Sequence, residues 1–154
     1  MAPDAFRFST EVRVRLPETD AMGIVFHGNF FTFLEVGRVD YLRNLGLGER
    51  NRPIKDFDNV VARAACDFKS PARFEDPLVV KVRITGIGRT SFRFGFLIEH
   101  KQEARVIATG ESVHVAIDPA SFEPIPVPES FRKVVRAFEG AALSEPTLKP
   151  KRRG

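Results

Sequence analysis

The segment from Asn29 to Leu45 constrains the fold more than any other part of the chain. Phe30, Leu34, Gly37, Tyr41 and Leu45 are spaced by four, three, four and four residues, which stacks them on one helical face. Phe31, Phe33, Val36, Val39 and Leu42 carry apolar surface well beyond that stripe, broken by Glu35, Arg38, Asp40, Arg43 and Asn44. A helix this apolar has to be mostly enclosed. Gly37 gives up about 1 kcal/mol of helix propensity relative to alanine, which makes sense if a sheet backbone passes close at that point. Gly46 and Gly48 end the helix.

The rest of the chain supplies the enclosure. Glu11–Leu16 alternates, with Val12, Val14 and Leu16 facing one way, and Pro17 ends the strand because it has no N–H for a ladder. After a polar loop, four further strands follow at 59–68, 78–85, 91–100 and 104–117. The third of the five strands sets Val80, Val82 and Ile84 against Lys81 and Arg83; the fourth carries Phe92, Phe94, Phe96 and Ile98; the fifth alternates Val113, Val115 and Ile117. Gly86 and Gly88 mark one turn, Gln102 and Glu103 the next. Glu129–Phe138 reads as a short closing helix. Helices and strands do not alternate, so the class is α+β, with a five-stranded antiparallel sheet wrapped around one long helix. One helix covers only the concave face, so outer surface or edges are expected to pair with another copy.

A chain of 154 residues suits one domain, expected over 6–140. Its single cysteine, Cys66, excludes an intrachain disulfide and argues against a thiolate zinc site. The N-terminus lacks the apolar run of a secretory signal and no stretch is long enough to span a membrane, so a cytoplasmic protein without membrane association is expected. Lys149, Lys151, Arg152 and Arg153 account for the whole net charge of +4. The excess therefore belongs to a basic tail at 141–154, read as a solvated, flexible end, and no nucleic-acid partner is expected.

The unusual chemistry lies in Glu18-Thr-Asp-Ala-Met-Gly-Ile-Val-Phe-His-Gly-Asn-Phe30. Asp20 is followed by small and apolar residues instead of a charged loop. His27, Gly28 and Asn29 present an imidazole and free backbone N–H groups where the helix begins. A helix N-terminus leaves unpaired donors and a partial positive charge, which can hold an anion or polarise a carbonyl. A carboxylate within reach can serve as base or nucleophile. These are the parts needed for acyl transfer to water.

The run Asp20-Ala-Met-Gly-Ile-Val-Phe-His-Gly-Asn-Phe-Phe resembles the motif Asp-x-x-Gly-[Ile/Val]-Val-[Phe/Tyr]-[His/Tyr/Phe]-x-x-[Phe/Tyr] of hotdog-fold thioesterases, in particular the 4-hydroxybenzoyl-CoA thioesterase-like family of acyl-CoA thioesterases. The similarity continues through Phe33-Leu-Glu-Val-Gly-Arg-Val-Asp-Tyr-Leu42, Gly88-Arg-Thr-Ser-Phe92 and Asp118 with the prolines 124, 126 and 128, covering roughly residues 8–135. The resemblance implies a hotdog fold, a homodimer or homotetramer with its active sites between subunits, and hydrolysis of a coenzyme A thioester without metal or cofactor. It makes Asp20 the catalytic carboxylate and the His27 N–H the group that polarises the carbonyl. It sets Arg89 and Ser91 where members can meet the coenzyme A nucleotide.

Other readings stand beside these. The His27 ring either packs and caps or takes part in the reaction. Glu35 is a rival base, but one turn from Arg38 it is read as an ion pair. His100 and His114 are read as structural, Cys66 as a small buried residue, and Gly86-x-Gly88 as a turn instead of a dinucleotide fingerprint. A non-catalytic acyl-CoA-binding protein and an enoyl-CoA hydratase are the alternative functions. The hydratase pattern of an Asp and a His five apart is not met by Asp20 and His27, which are seven apart.

Overall fold

A computed structural model describes residues 5–146. The elements are β1 (Phe8–Arg13), α1 (Asn29–Asn44), β2 (Asp58–Phe68), β3 (Pro77–Ile87), β4 (Ser91–His100), β5 (Val106–Ile117) and α2 (Glu129–Glu139). The five strands form one sheet in the order β1-β3-β4-β5-β2, and every neighbouring pair is antiparallel. The α+β sheet-and-helix architecture is thus the one that the periodicities predict.

Register breaks between Val61 and Arg63, Ile84 and Gly86, and Ile98 and Glu99 insert bulges that bend the strands. The inner face of the bent sheet carries Val80, Val82, Ile84, Phe92, Phe94 and Ile98, all without solvent exposure, and meets α1 through Val80 and Val82 at Gly37 and through Phe94 at Tyr41. Burying each such side chain is worth about 1.5–3 kcal/mol, so this face dominates the stability of the fold. Gly37 is the contact point: a Cβ there would stand 2.8 Å from Val80 Cγ1 and 2.9 Å from Val82 Cγ2. The close approach inferred from the glycine is therefore made by side chains of β3. Gly110 does the same for β5, where a Cβ would meet Leu34 Cδ1 at 2.9 Å.

The chain departs from the sequence reading in several places. The first strand runs earlier than Glu11–Leu16. Val14 leaves the sheet to exchange backbone bonds with Glu75 and Asp76, and Leu16 opens a 3-10 turn with 63% of its surface exposed. Strand β5 turns its valines outward: Ser112, His114 and Ala116 are buried, while Val113 and Val115 are half-buried. On the inner face the His114 ring stacks on Phe92 and meets Phe94 edge-on, with centroids 5.2 Å away in each case. Lastly, α1 is not enclosed all round. Val36 is exposed and Val39 half-buried along one open flank.

Helix α2 closes one end of the sheet through Phe131, which meets Phe57 and Phe92 at 5.2 and 5.1 Å. Buried Glu139 accepts the Tyr41 hydroxyl at 2.5 Å and the Ile84 N–H at 3.1 Å, locking α2 to α1 and β3. Residues 141–146, assigned to the tail by sequence, continue along β3: Ser144 pairs with Gly86 and donates its N–H to Thr85 O at 2.9 Å. The remainder of the expected basic tail, 147–154, lies outside the described residues.

Candidate active site

The segment between β1 and α1 folds back on itself, and Glu18 is the reason. Its backbone carbonyl accepts two donors, the Phe26 N–H at 2.9 Å and Asn29 Nδ2 at 2.8 Å. Its buried carboxylate accepts the Arg15 N–H at 2.7 Å. Thr19 and Val25 form an antiparallel bridge, and the Asp20 N–H donates to Ile24 O at 2.8 Å. Gly23 completes the turn at φ 78°, a left-handed conformation that favours glycine. The apolar run that sequence reading takes toward the helix is thus half of a small hairpin with Asp20 at its tip.

Asp20 is half-buried there, and its Oδ1 accepts the Met22 N–H at 2.8 Å. Oδ2 has no hydrogen-bond partner among the described residues. At the start of α1 the N–H groups of Asn29, Phe30 and Phe31 bond back to Phe26, His27 and Gly28. The N–H groups of His27 and Gly28 have no acceptor among the described residues. They are the free donors that a helix N-terminus supplies. Gly28 is small because the Phe26 ring lies over it: a Cβ would meet Phe26 Cε1 at 2.9 Å.

Beside these donors is an apolar cleft of about 380 Å³, lined by Ile24, Val25, His27, Phe30, Phe68, Lys69, Ser70, Pro71 and Ala72. The His27 ring is exposed and packs between Phe26 and Phe68, with centroids 4.4 and 6.0 Å away. Of the residues singled out by sequence, only His27 lines this cleft; Asp20 and Gly28 sit on the adjoining turns. Asn29, expected among the substrate contacts, donates its Nδ2 to Glu18 O. The wall residues Phe68 and Ser70–Ala72 were not singled out, because nothing in a local pattern says that a strand end some forty residues on returns to the helix N-terminus.

Arg89 and Ser91 are not brought to Asp20 within the chain. Ser91 pairs with Val115, which pairs with Val60, whereas Phe68 at the cleft is eight residues further along β2. At the rise of a strand this is about 26 Å. Arg89 is exposed, and its backbone carbonyl is held by the Val127 N–H at 2.9 Å and by buried Arg132.

The remaining candidates have structural partners. Glu35 grips Arg38 through two bonds of 3.0 and 2.7 Å. Partial burial raises its pKa, but the Arg38 bonds outweigh this and hold the carboxyl below its usual range. His114 lies between Ser112 Oγ (2.9 Å) and Asn59 Oδ1 (3.1 Å), and burial, with Arg38 adding to it, pushes its pKa down to about 4. His100 accepts the N–H groups of Gln102 and Glu103 on Nδ1. Burial, aided by Asp67, pushes the Cys66 thiol up to about 11, so it stays protonated and a poor nucleophile. No group of three metal-binding side chains occurs among the described residues, and none of their helices is long and apolar enough to cross a membrane.

A family model described as the thioesterase-like superfamily matches residues 14–135. A putative acyl-CoA thioesterase of Bacillus subtilis, YneP, is 31% identical over 132 residues, covering 85% of this chain and 94% of that protein. The acyl-CoA thioester hydrolase YbgC of Escherichia coli is 28% identical, covering 80% and 91%. A Thermus thermophilus thioesterase solved with coenzyme A and zinc superimposes with a TM-score of 0.76 at 29% identity, over 89% of this chain and 98% of that one. A 1,4-dihydroxy-2-naphthoyl-CoA thioesterase from Synechocystis gives 0.75 at 26% identity, over 83% and 94%.

Proposed function

The chain belongs to the thioesterase-like superfamily, with its hotdog fold, and on that footing we propose that it hydrolyses acyl-CoA thioesters to a carboxylic acid and free coenzyme A. The observation that carries the proposal is the pair of unengaged N–H groups at His27 and Gly28 beside an apolar cleft. The acyl chain enters the cleft and its thioester oxygen meets the two N–H groups. Charge that develops on this oxygen is stabilised by donors already fixed in position. Loss of one such donor lowers the rate by about 10²–10³.

Asp20 supplies the carboxylate. As general base it takes a proton from water while the water oxygen attacks the carbonyl carbon; as nucleophile it attacks that carbon itself and water cleaves the resulting anhydride. In either case the C–S bond breaks and the thiolate of coenzyme A leaves and is protonated. The free Oδ2 supports the role, and the Met22 N–H on Oδ1 fixes the orientation.

The active unit in this proposal is a homodimer, itself able to pair again as a tetramer. Strand β2, of 11 residues, is an edge of the sheet with no further strand beside it among the described residues. An edge of this length is a template for a second strand. Antiparallel pairing of two β2 edges would set the 58–60 end of one against the 66–68 end of the other, and so bring the partner's Arg89 and Ser91 toward the cleft. The direct test is release of free thiol from a panel of acyl-CoAs by wild type and Asp20→Asn. Hydrolysis by wild type, reduced at least a hundredfold in the variant, is expected. Equal turnover in both would remove Asp20 from the mechanism.

A further inference from the structure

The wall of the cleft has its own clamp. Lys69 and Ser70 leave β2 with their N–H groups on Ile107 O, at 2.8 and 3.2 Å. Two residues later, Ala72 O accepts the Val25 N–H at 2.8 Å and ties the wall to the hairpin that carries Asp20. Pro71 lies between these anchors and has no N–H of its own to spend. Its carbonyl is held by Arg105 Nη1 at 2.6 Å, and the same nitrogen donates to Ser70 Oγ at 2.8 Å. Glu103 orients the guanidinium from the other side through Nε at 2.8 Å.

Arg105 is also launched from a fixed point. It follows Ala104, which lies in the left-handed region at φ 54°, in a turn fastened by the two N–H groups that His100 Nδ1 accepts. A guanidinium on a rigid turn that grips a proline carbonyl is a device for holding backbone still. The backbone it holds lines the cleft, while Arg105 itself does not.

We propose that Arg105 is a specificity-determining positioning residue, which sets the width of the cleft through Ser70 and Pro71 and so limits the size of the acyl group accepted. This rests on the reading that the cleft takes the acyl chain. Freed of Arg105, the wall remains fastened at Ser70 N, at Ser70 Oγ, which donates to Val106 O at 2.6 Å, and at Ala72 O, so the Pro71 carbonyl between them yields outward and admits larger groups. The chemistry at Asp20 and the His27 and Gly28 N–H groups is left in place.

The test compares wild type, Arg105→Ala and Arg105→Lys in kcat/KM for butyryl- and octanoyl-CoA, and in the Kd of the matching S-butyl and S-octyl thioethers of coenzyme A, which cannot be cleaved. Arg105→Ala should raise the octanoyl-to-butyryl ratio of kcat/KM at least fivefold and lower the S-octyl-to-S-butyl ratio of Kd at least fivefold, while butyryl-CoA turnover changes less than threefold. Arg105→Lys, which keeps one donor, should recover part of the wild-type ratio. A ratio unchanged within twofold, or shifted toward butyryl, overturns the proposal. If Arg105→Ala does not fold, Ser70→Ala removes one arm of the clamp and should move the ratio at least twofold the same way; no movement again overturns it. A wild type that binds the thioethers but cleaves neither ester refutes the hydrolase reading, and the thioether ratio still decides the role of Arg105. A wild type that does neither refutes both.

Discussion

The side chain of Asn29 donates to the backbone carbonyl of Glu18 at 2.8 Å and so joins the first residue of α1 to the 3-10 turn that leads into Asp20. The carboxylate and the helix-end donors thus sit on two arms of one loop, and this amide is the side-chain tie between them. Asn29→Ala should lower kcat about 10- to 100-fold with little change in KM, because the donors shift relative to Asp20. Asn29→Asp separates position from stability. A carboxylate suits a helix N-terminus, yet it cannot donate to Glu18 O. Its kcat should fall as in Asn29→Ala while its Tm stays at or above that of Asn29→Ala.

Gly37→Ala should destabilise the fold by up to about 2 kcal/mol. The added methyl crowds Val80 and Val82, which costs about 1–3 kcal/mol, and the gain in helix propensity returns about 1 kcal/mol. Urea denaturation measures the change. Adding Val80→Ala to Gly37→Ala should cost less than the sum of the two single substitutions, since the second removes the atom that the first strikes.

Stability should fall on the acid side through His114. Its pKa of about 4 in the folded chain lies below the unfolded value near 6.5, so the unfolded chain takes up the proton first. The contribution is complete above about pH 7 and is lost as pH falls from 6.5 toward 4, by up to about 3 kcal/mol. Denaturation midpoints of wild type and His114→Gln across that range check this: the variant should be less stable at pH 7 and flatter toward pH 4.

If active sites form between subunits, the substitutions Asp20→Asn and Arg89→Ala damage different places. The two variants should each be impaired alone, and co-expressed chains should regain up to about a quarter of wild-type turnover, because one site in the hybrid dimer escapes both substitutions. Purified hybrids carrying two tags, each with one intact site of two, should reach about half. No recovery would assign both residues to the same chain's site or to none.

The sequence exposed some of this and concealed the rest for reasons specific to each residue. Strand β4 is Ser91–His100 as read, and α1 ends one residue short of the reading, because period and glycine stops are local signals. The Glu35–Arg38 pair is local as well, one turn apart on one helix. The His27 and Gly28 donors follow from where a helix begins. The destination of the Asn29 amide does not, since it depends on the loop closing over eleven residues. The inward turn of His114 is hidden because Val113 and Val115 announce the opposite face, while the rings it packs against lie on β4. The distance of Arg89 and Ser91 from Asp20 follows from strand order, to which alternation within a strand is blind.

The surplus residue at Ala62, where the register between β2 and β5 breaks, falls near the middle of the free edge. A straight border slides: two such borders fit nearly as well when displaced by a pair of residues. A border with a step in it meshes with its own copy at one offset and jams at the others. If β2 is the seam, this single irregularity acts as a key, and it would fix how far one subunit's substrate groove lies from its neighbour's.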